Sequence, residues 1–240
     1  MNTHMNIMVG SNKQEDKVIT SAKQEYKILA EYKMVESEKI GGVYVIPSYE
    51  NSLLWFGVIF VRSGYYKNGI FRFNISLPDN FPDDKTAPTV IFQNEIIHPL
   101  IHPYTGALDI SFAFPYWRIG EDHIWQLLKY ISYIFMEPEE CLKSTETFQN
   151  KNAFDLITID IDEFKTKVAH CVQQSINNVY DPAPVDDPHY IIFERFNNEL
   201  HGPVLNKMKL DGAKSIVPSA HATTSLSWVK EGEFKPLSKE

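Results

Sequence analysis

The feature that most constrains the fold is a series of four short apolar segments between residues 43 and 92. They are rich in the β-branched and aromatic residues that strands favour, and they are VYVIPS (43–48), LLWFGVIFVR (53–62), IFRFNISL (70–77) and TVIF (89–92). The links between the first three are short and carry turn residues, whereas parallel neighbours need connections of a dozen residues or more. The sequence therefore predicts a four-stranded antiparallel meander.

Helical periodicity occurs on both sides of this predicted sheet. Before it, apolar residues recur at helical spacing at Ile28, Leu29, Tyr32 and Val35, with Lys and Glu between them. After it, residues 121–135 place apolar side chains on one face, and a second such face follows between residues 161 and 179. A helix, a meander sheet and later helices together predict an α+β fold.

Composition limits the classes of protein and partner. Of the 240 residues, 43% are hydrophobic, which is enough for a sizeable core. The 31 acidic and 23 basic residues give a net charge of −8, which disfavours nucleic acid and anionic lipid as main partners. Two cysteines favour a reducing compartment, and no segment has the apolar length of a membrane span. We therefore expect a cytoplasmic protein without direct membrane insertion, whose terminal segments, residues 1–19 and 177–240, are largely flexible.

The loop HPLIHPYTGALDIS (98–111) first suggests a metal site or an acid/base site. His98 and His102 are four residues apart, a spacing that aligns two ligands only on a helix, and the proline after each histidine disfavours the helical conformation. Asp109 has no obvious partner for acid/base catalysis. We expect no metal and no cofactor here, and we expect the histidines and prolines to shape and cap a surface loop.

The order of the elements, together with several short motifs, resembles the ubiquitin-conjugating enzyme family. The motifs are Phe81-Pro82 with Pro88 and Phe92, His98-Pro99, Gly106-Ala107-Leu108, and Trp117 before the predicted helix 121–135. They are similar to the family's Tyr-Pro, Pro-Pro and Phe signature, the start of its His-Pro-Asn motif, the Gly-x-Ile before its catalytic cysteine, and its Trp. For residues 20–176 the resemblance implies the family's fold: an N-terminal helix, a four-stranded antiparallel meander and C-terminal helices.

Two departures from the family pattern imply that the chain is not an enzyme. Asp109 stands where the family has its nucleophilic cysteine, and Leu100 stands where it has the Asn that assists attack. A carboxylate is a weaker nucleophile than a thiolate and cannot form a thioester. Neither Cys141, which follows three glutamates that raise its pKa, nor Cys171, on an apolar helix face, resembles a relocated nucleophile.

Longer stretches of the chain resemble the fused toes, or AKT-interacting, subfamily of variants that lack the catalytic cysteine. They are residues 24–39, 98–111, 114–130, 187–193 and 227–238. This resemblance implies an adaptor that associates with a Hook-type coiled-coil protein and an FHIP-type subunit, in vesicle trafficking along microtubules, and it also suggests the kinase Akt as a partner. The alternative is a ubiquitin-binding or cofactor module that assists an active conjugating enzyme.

Five aromatic residues are candidates for partner binding. Trp125 is offset from the main apolar face of its helix, where it either anchors a partner or packs beneath a neighbouring loop. Tyr190 and Phe193 belong to a short apolar run that either packs back on the domain or presents a docking edge. Trp228 and Phe234 lie in a polar tail, and they either form a linear motif that orders on a partner or pack across the domain surface.

Overall fold

The computed structural model describes residues 3–143 and 148–215, with side chains from residue 18 to 143 and from 148 to 210. The chain divides into two units, one that ends at Phe193 and one that begins at Glu194. The elements of the first unit, in chain order, are α1 (Thr3–Glu38), β1 (Val43–Pro47), β2 (Leu54–Phe60), β3 (Ile70–Ser76), β4 (Thr89–Phe92), α2 (Ile124–Met136), α3 (Pro138–Leu142), α4 (Lys151–Ile159), α5 (Ile161–Asn177) and a 3-10 turn (Asn178–Tyr180). The second unit contains α6 (Asn198–Ser215).

The four strands form one antiparallel sheet in the order β1-β2-β3-β4, which confirms the predicted meander. Alternation along the strands gives the sheet two faces. The inner face carries Trp55, Phe71 and Phe73, which belong to the main core. The outer face carries Phe56 and Val58, which are buried but lie outside that core cluster.

Helices α2 and α5 cover the inner face of the sheet. The Phe135 ring of α2 stacks on Phe71 of β3, with centroids 5.2 Å apart and an interplanar angle of 13°. Phe164 of α5 makes an edge-to-face contact with the buried ring of Tyr66. Burial of such rings is the main source of stability in a core of this kind.

Two predicted boundaries differ from the structure. Helix α1 begins at Thr3, which lies within the segment expected to be flexible. Lys, Glu, Gln and Met in residues 3–17 favour helix even without an apolar pattern. The segment 177–240, expected to be largely flexible, contains α6. Within the described part of the chain, none of the helices is long and apolar enough to span a membrane.

Helix α1 packs on the domain through only part of its predicted apolar set. Ile28 is buried, and Tyr32 makes an edge-to-face contact with Trp55 at 5.7 Å. Glu31 accepts hydrogen bonds from the His123 ring nitrogen Nδ1 at 2.8 Å and from the amide of Ile124 at 3.3 Å, which joins α1 to the start of α2. Leu29, which the sequence placed in the same apolar set, is 52% exposed.

Candidate functional site

The loop between β4 and α2 contains a buried histidine near its start. His98 accepts a hydrogen bond at Nδ1 from the amide of Leu100 at 3.0 Å, and its Nε2 donates to the carbonyl oxygen of Ile134 at 3.0 Å. A neutral imidazole, with one acceptor and one donor nitrogen, therefore satisfies both hydrogen bonds. Burial lowers the pKa of His98 to about 4, so the ring is neutral at physiological pH. His98 fixes the loop to α2 from inside the core, instead of capping a surface loop as predicted.

His102 has the capping role that the sequence predicts for the histidines of this loop. Its Nδ1 accepts from the amides of Tyr104 and Thr105, at 3.3 and 3.2 Å. Since the two histidines serve different parts of the loop, they do not converge on a common ligand position. Among the described residues, no group of three His, Cys, Asp or Glu side chains could hold a metal ion.

The chain then folds back on itself as a narrow ribbon. The amide of His102 donates to Ala107 at 2.9 Å, and the amide of Asp109 donates to the carbonyl oxygen of Leu100 at 2.8 Å. The reversal depends on Gly106, whose φ is +70° and whose missing Cβ would collide with the carbonyl oxygen of Phe92. Backbone bonds and one glycine therefore bring positions 100 and 109 together.

The carboxylate of Asp109 is half-buried at the end of this ribbon. Its Oδ1 accepts from the amide of Ser111 at 2.9 Å and from the Ser111 hydroxyl at 2.6 Å, and its Oδ2 faces Nε2 of Gln149 at 3.4 Å. The Tyr130 hydroxyl donates to the backbone carbonyl of Asp109 at 3.2 Å. All of these donors are neutral, and none of them is a base that could activate a nucleophile.

Leu100 provides no polar side-chain atom to this site. Its side chain is 0% exposed and is part of the main core. Its amide is already used by His98, so the backbone N–H is not available to an oxyanion. Positions 100 and 109 are adjacent, and neither carries a thiol or a side-chain N–H.

Both cysteines are buried. Cys141 donates its S–H to the carbonyl oxygen of Glu137 at 3.4 Å, and Cys171 donates to Glu95 at 3.1 Å. Burial raises the pKa of each thiol to about 11, so little thiolate exists at neutral pH. The sequence attributed the raised pKa of Cys141 to glutamates, but burial contributes more than Glu140 and Glu137.

Residues 187–193, named the C-terminal strap, lie on the outer face of the sheet. The ring of Tyr190 contacts Phe56 edge to face at 5.1 Å, and its hydroxyl donates to Oε1 of Gln93 at 2.6 Å. The ring of Phe193 contacts Phe60 at 5.8 Å and lies under the guanidinium of Arg72 at 5.1 Å. Of the two alternatives for this run, the structure has it packed back on the domain.

The strap also has polar anchors that the sequence analysis missed. Asp187 accepts from the Ser48 hydroxyl at 2.6 Å and from the amide of Tyr49 at 3.2 Å, next to the β1–β2 turn. Arg72 donates to the carbonyl oxygens of Val179 at 2.8 Å and Ile191 at 3.3 Å. The available signal in the sequence was Arg72, which alternates with apolar residues along β3. A half-buried arginine there indicates that hydrogen-bond acceptors must cover that face of the sheet.

The remaining aromatic candidates are Trp125, Trp228 and Phe234. Trp125 is half-buried, and the ammonium of Lys129 lies 4.3 Å from its ring centroid. That cation covers one face of the indole, so the residue is neither fully exposed nor sealed in the core. Trp228 and Phe234 lie outside the described residues.

Comparison with known proteins places this geometry in a class. The family model for ubiquitin-conjugating enzymes matches residues 27–172. A Plasmodium yoelii protein described as a candidate ubiquitin-conjugating enzyme shares the fold with a TM-score of 0.54 and 21% identity, over 63% of this chain and 94% of that one. The E2 domain of a Toxoplasma gondii ubiquitin-conjugating enzyme gives 0.52 and 19%, over 63% and 97%. The chain belongs to the ubiquitin-conjugating enzyme family, which confirms the predicted fold.

More similar relatives narrow the class. Proteins named crossbronx from Drosophila willistoni and Drosophila persimilis are 51% and 52% identical, over 98% of this chain and 100% of their own lengths. A crossbronx homologue from Culex quinquefasciatus is 52% identical, over 94% of this chain and 97% of its own. The chain is thus a ubiquitin-conjugating-enzyme-like protein of the crossbronx type, as the resemblance to the fused toes subfamily implied.

Proposed function

We propose that this protein is a non-catalytic adaptor that retains the ubiquitin-conjugating fold as a binding scaffold. The observation that carries the proposal is the pair at the end of the ribbon, where the half-buried carboxylate of Asp109 adjoins the core residue Leu100. By resemblance to the family, these are the positions of the nucleophilic cysteine and of the assisting Asn.

The chemistry of this pair supports the loss of conjugating activity. A thiolate holds an activated acyl group as a thioester that persists in water, whereas the mixed anhydride formed by a carboxylate hydrolyses rapidly. An oxyanion donor is typically worth about 3 kcal/mol, or roughly a hundredfold in rate. Leu100 provides no such donor, and the two buried cysteines are poor substitutes.

The partners follow from the resemblance to the fused toes subfamily. We infer a complex with a Hook-type coiled-coil protein and an FHIP-type subunit, in trafficking along microtubules, with the kinase Akt as a further partner. The alternative, a ubiquitin-binding module, would use a face of the sheet. The outer face of the sheet is packed against the C-terminal strap, and this contact favours the adaptor over a sheet-face ubiquitin module.

Two measurements test the proposal. Purified protein mixed with activating enzyme, ATP and ubiquitin is expected to form no thiol-sensitive adduct, while an active conjugating enzyme in a parallel reaction does. The protein is also expected to co-elute with the coiled-coil region of a Hook-type protein in size-exclusion chromatography, and to leave the NMR spectrum of free ubiquitin unchanged. A ubiquitin adduct that is passed on to lysine would contradict the loss of activity, and ubiquitin shifts without co-elution would favour the alternative.

The variant Asp109→Cys distinguishes the contribution of the nucleophile from that of the residues around it. We expect its discharge to free lysine to be about a hundredfold slower than that of an active family member, because Leu100 still lacks a donor. The variant Asp109→Ser is the matched control for the change in size, and it should accept no thioester at all. Discharge of Asp109→Cys at the rate of the active enzyme would show that position 100 does not matter.

A further inference from the structure

We propose that the outward face of α1 is a docking seam for one amphipathic helix of a partner coiled coil. The seam consists of Ile19, Ala22, Tyr26 and Leu29, which follow one another at intervals of three, four and three residues. Apolar residues at alternating intervals of three and four form the contact line of helices in coiled coils. This inference rests on the proposed adaptor function, for which it identifies the surface.

The seam is not required for the fold of the domain. Helix α1 already contacts the domain through Ile28 and Glu31, which lie on the side away from the seam, and through Tyr32. A surface helix that packs on a domain with one face normally has a polar outer face. Here Tyr26 is 74% exposed and Ile19 is 51% exposed, and Leu29 and Ala22 are exposed as well.

Polar contacts past the middle of α1 and at its C-terminal end hold the helix against the domain. Past the middle, Gln24 donates to the carbonyl oxygen of Phe81 at 3.1 Å, and Lys27 forms an ion pair with Asp83. Near its end, Lys129 of α2 pairs with Glu38 at 2.7 Å. Because the helix cannot rotate without breaking these contacts, a partner would meet a preorganised surface.

The length of the seam is limited by charge. At the next seam position Lys33 replaces an apolar residue, and its ammonium pairs with Glu36, the following one, at 2.6 Å. In the other direction the preceding seam positions are Glu15 and Asn12, which are polar as well. The apolar seam therefore spans about three turns of α1, from Ile19 to Leu29.

The flanking charges favour a different chain over a second copy of this one. Lys23 follows Ala22 on one flank of the seam, and Glu25 precedes Tyr26 on the other. In a parallel pair of identical helices, Lys23 would face Val18 and Glu25 would face Ala30. In an antiparallel pair each flank would face its own copy, and like charges would meet. Opposite-charge pairs require a helix that is acidic along the Lys23 flank and basic along the Glu25 flank.

The test compares the full chain with a double variant, Ile19→Asp with Tyr26→Asp, for binding to the recombinant coiled-coil region of a Hook-type protein by calorimetry. Two carboxylates in an apolar seam are expected to weaken binding by about a hundredfold or more. The matched control is Tyr104→Asp, because Tyr104 is 93% exposed on the loop of residues 102–107, and it should change affinity by less than about threefold. All three proteins should unfold at the same temperature, since none of the altered side chains is buried.

A photo-crosslinking residue in place of Tyr26, in the full chain in cells, separates this inference from the proposed function. Crosslinking to a peptide with apolar residues at three- and four-residue intervals supports the seam. Equal affinity of the double variant and the wild type would overturn the seam and leave the adaptor function standing. Failure of the wild type to bind the Hook-type probe, with crosslinking to another coiled coil, would overturn the function and keep the seam. Crosslinking to α1 of a second copy, to a globular domain or to nothing overturns the seam.

Discussion

Replacement of Tyr190 tests whether the C-terminal strap is an integral part of the domain. The change Tyr190→Phe removes only the hydroxyl that donates to Gln93 at 2.6 Å, whereas Tyr190→Ala also removes the ring that packs on Phe56. Since Tyr190 is only 8% exposed, Tyr190→Ala removes nearly all of the ring's contact with the domain and leaves a cavity or solvent in its place.

The expected magnitudes follow from these contacts. One neutral hydrogen bond contributes about 1 kcal/mol to the free energy of unfolding, so Tyr190→Phe should cost about that much. Loss of a buried aromatic ring costs about 3 to 5 kcal/mol in a core. Tyr190 lies at the rim of the domain, where the strap can partly collapse onto the sheet, and we therefore expect about 3 kcal/mol for Tyr190→Ala.

Urea unfolding monitored by fluorescence and by far-UV circular dichroism provides the assay. With a slope of about 2 kcal/mol per molar urea, the midpoint should fall by about 0.5 M for Tyr190→Phe and about 1.5 M for Tyr190→Ala. The exposed Tyr104 is the control, and Tyr104→Ala should shift the midpoint by no more than about 0.25 M. If Tyr190→Ala behaved like this control, the strap would not stabilise the domain, and the outer face of the sheet would be open to other ligands.

Three further predictions concern the interior of the domain. Gly106→Ala should cost at least about 2 kcal/mol more than Gly120→Ala in urea unfolding, because both glycines have positive φ but only Gly106 lies against backbone. Cys141 and Cys171 have pKa values of about 11, so in the folded protein at pH 8 they should react with a thiol reagent roughly a thousandfold more slowly than a fully ionised thiol. After denaturation both should react at once. His98 has a pKa of about 4 in the folded state and about 6.5 unfolded. Its neutral form therefore stabilises the fold above pH 6.5, and roughly 3 kcal/mol is lost as the pH falls to 4. His98→Gln should show a smaller loss over that range, and an unchanged loss would refute this role.

The sequence predicted the sheet better than the helices at its margins. The four strands have the predicted order, and their ends differ from prediction by two residues or fewer, because each combines an apolar run with turn residues that stop it. Helix α1 extends back to Thr3, beyond the apolar period on which its prediction rested, because residues 3–17 favour helix by intrinsic propensity and lack such a period. Periodicity alone could not assign Leu29 to the outer face, because side chains on both sides of α1 are apolar.

In the candidate site, too, the sequence predicted residues close to a motif but not contacts between residues far apart in the chain. The positions of Asp109 and Leu100 could be inferred from motifs, because both lie within a few residues of the His-Pro and Gly-x-Leu motifs in one loop. The burial of His98 could not, because its partner Ile134 is on another helix. The anchors of the strap join residues more than 100 positions apart, as in the bond between Ser48 and Asp187, and such contacts leave no local pattern.

The geometry of the loop explains why the fold persists with a carboxylate at position 109. The bonds that shape the ribbon are backbone bonds, the reversal requires Gly106, and the connection to α2 is made by His98. None of them uses the side chain at position 109, so under the proposed function a change of nucleophile there would remove chemistry without removing structure. A domain built in this way can lose its reaction and keep its surfaces, and the strap and the outward face of α1 are the surfaces on which a scaffold function has to be tested.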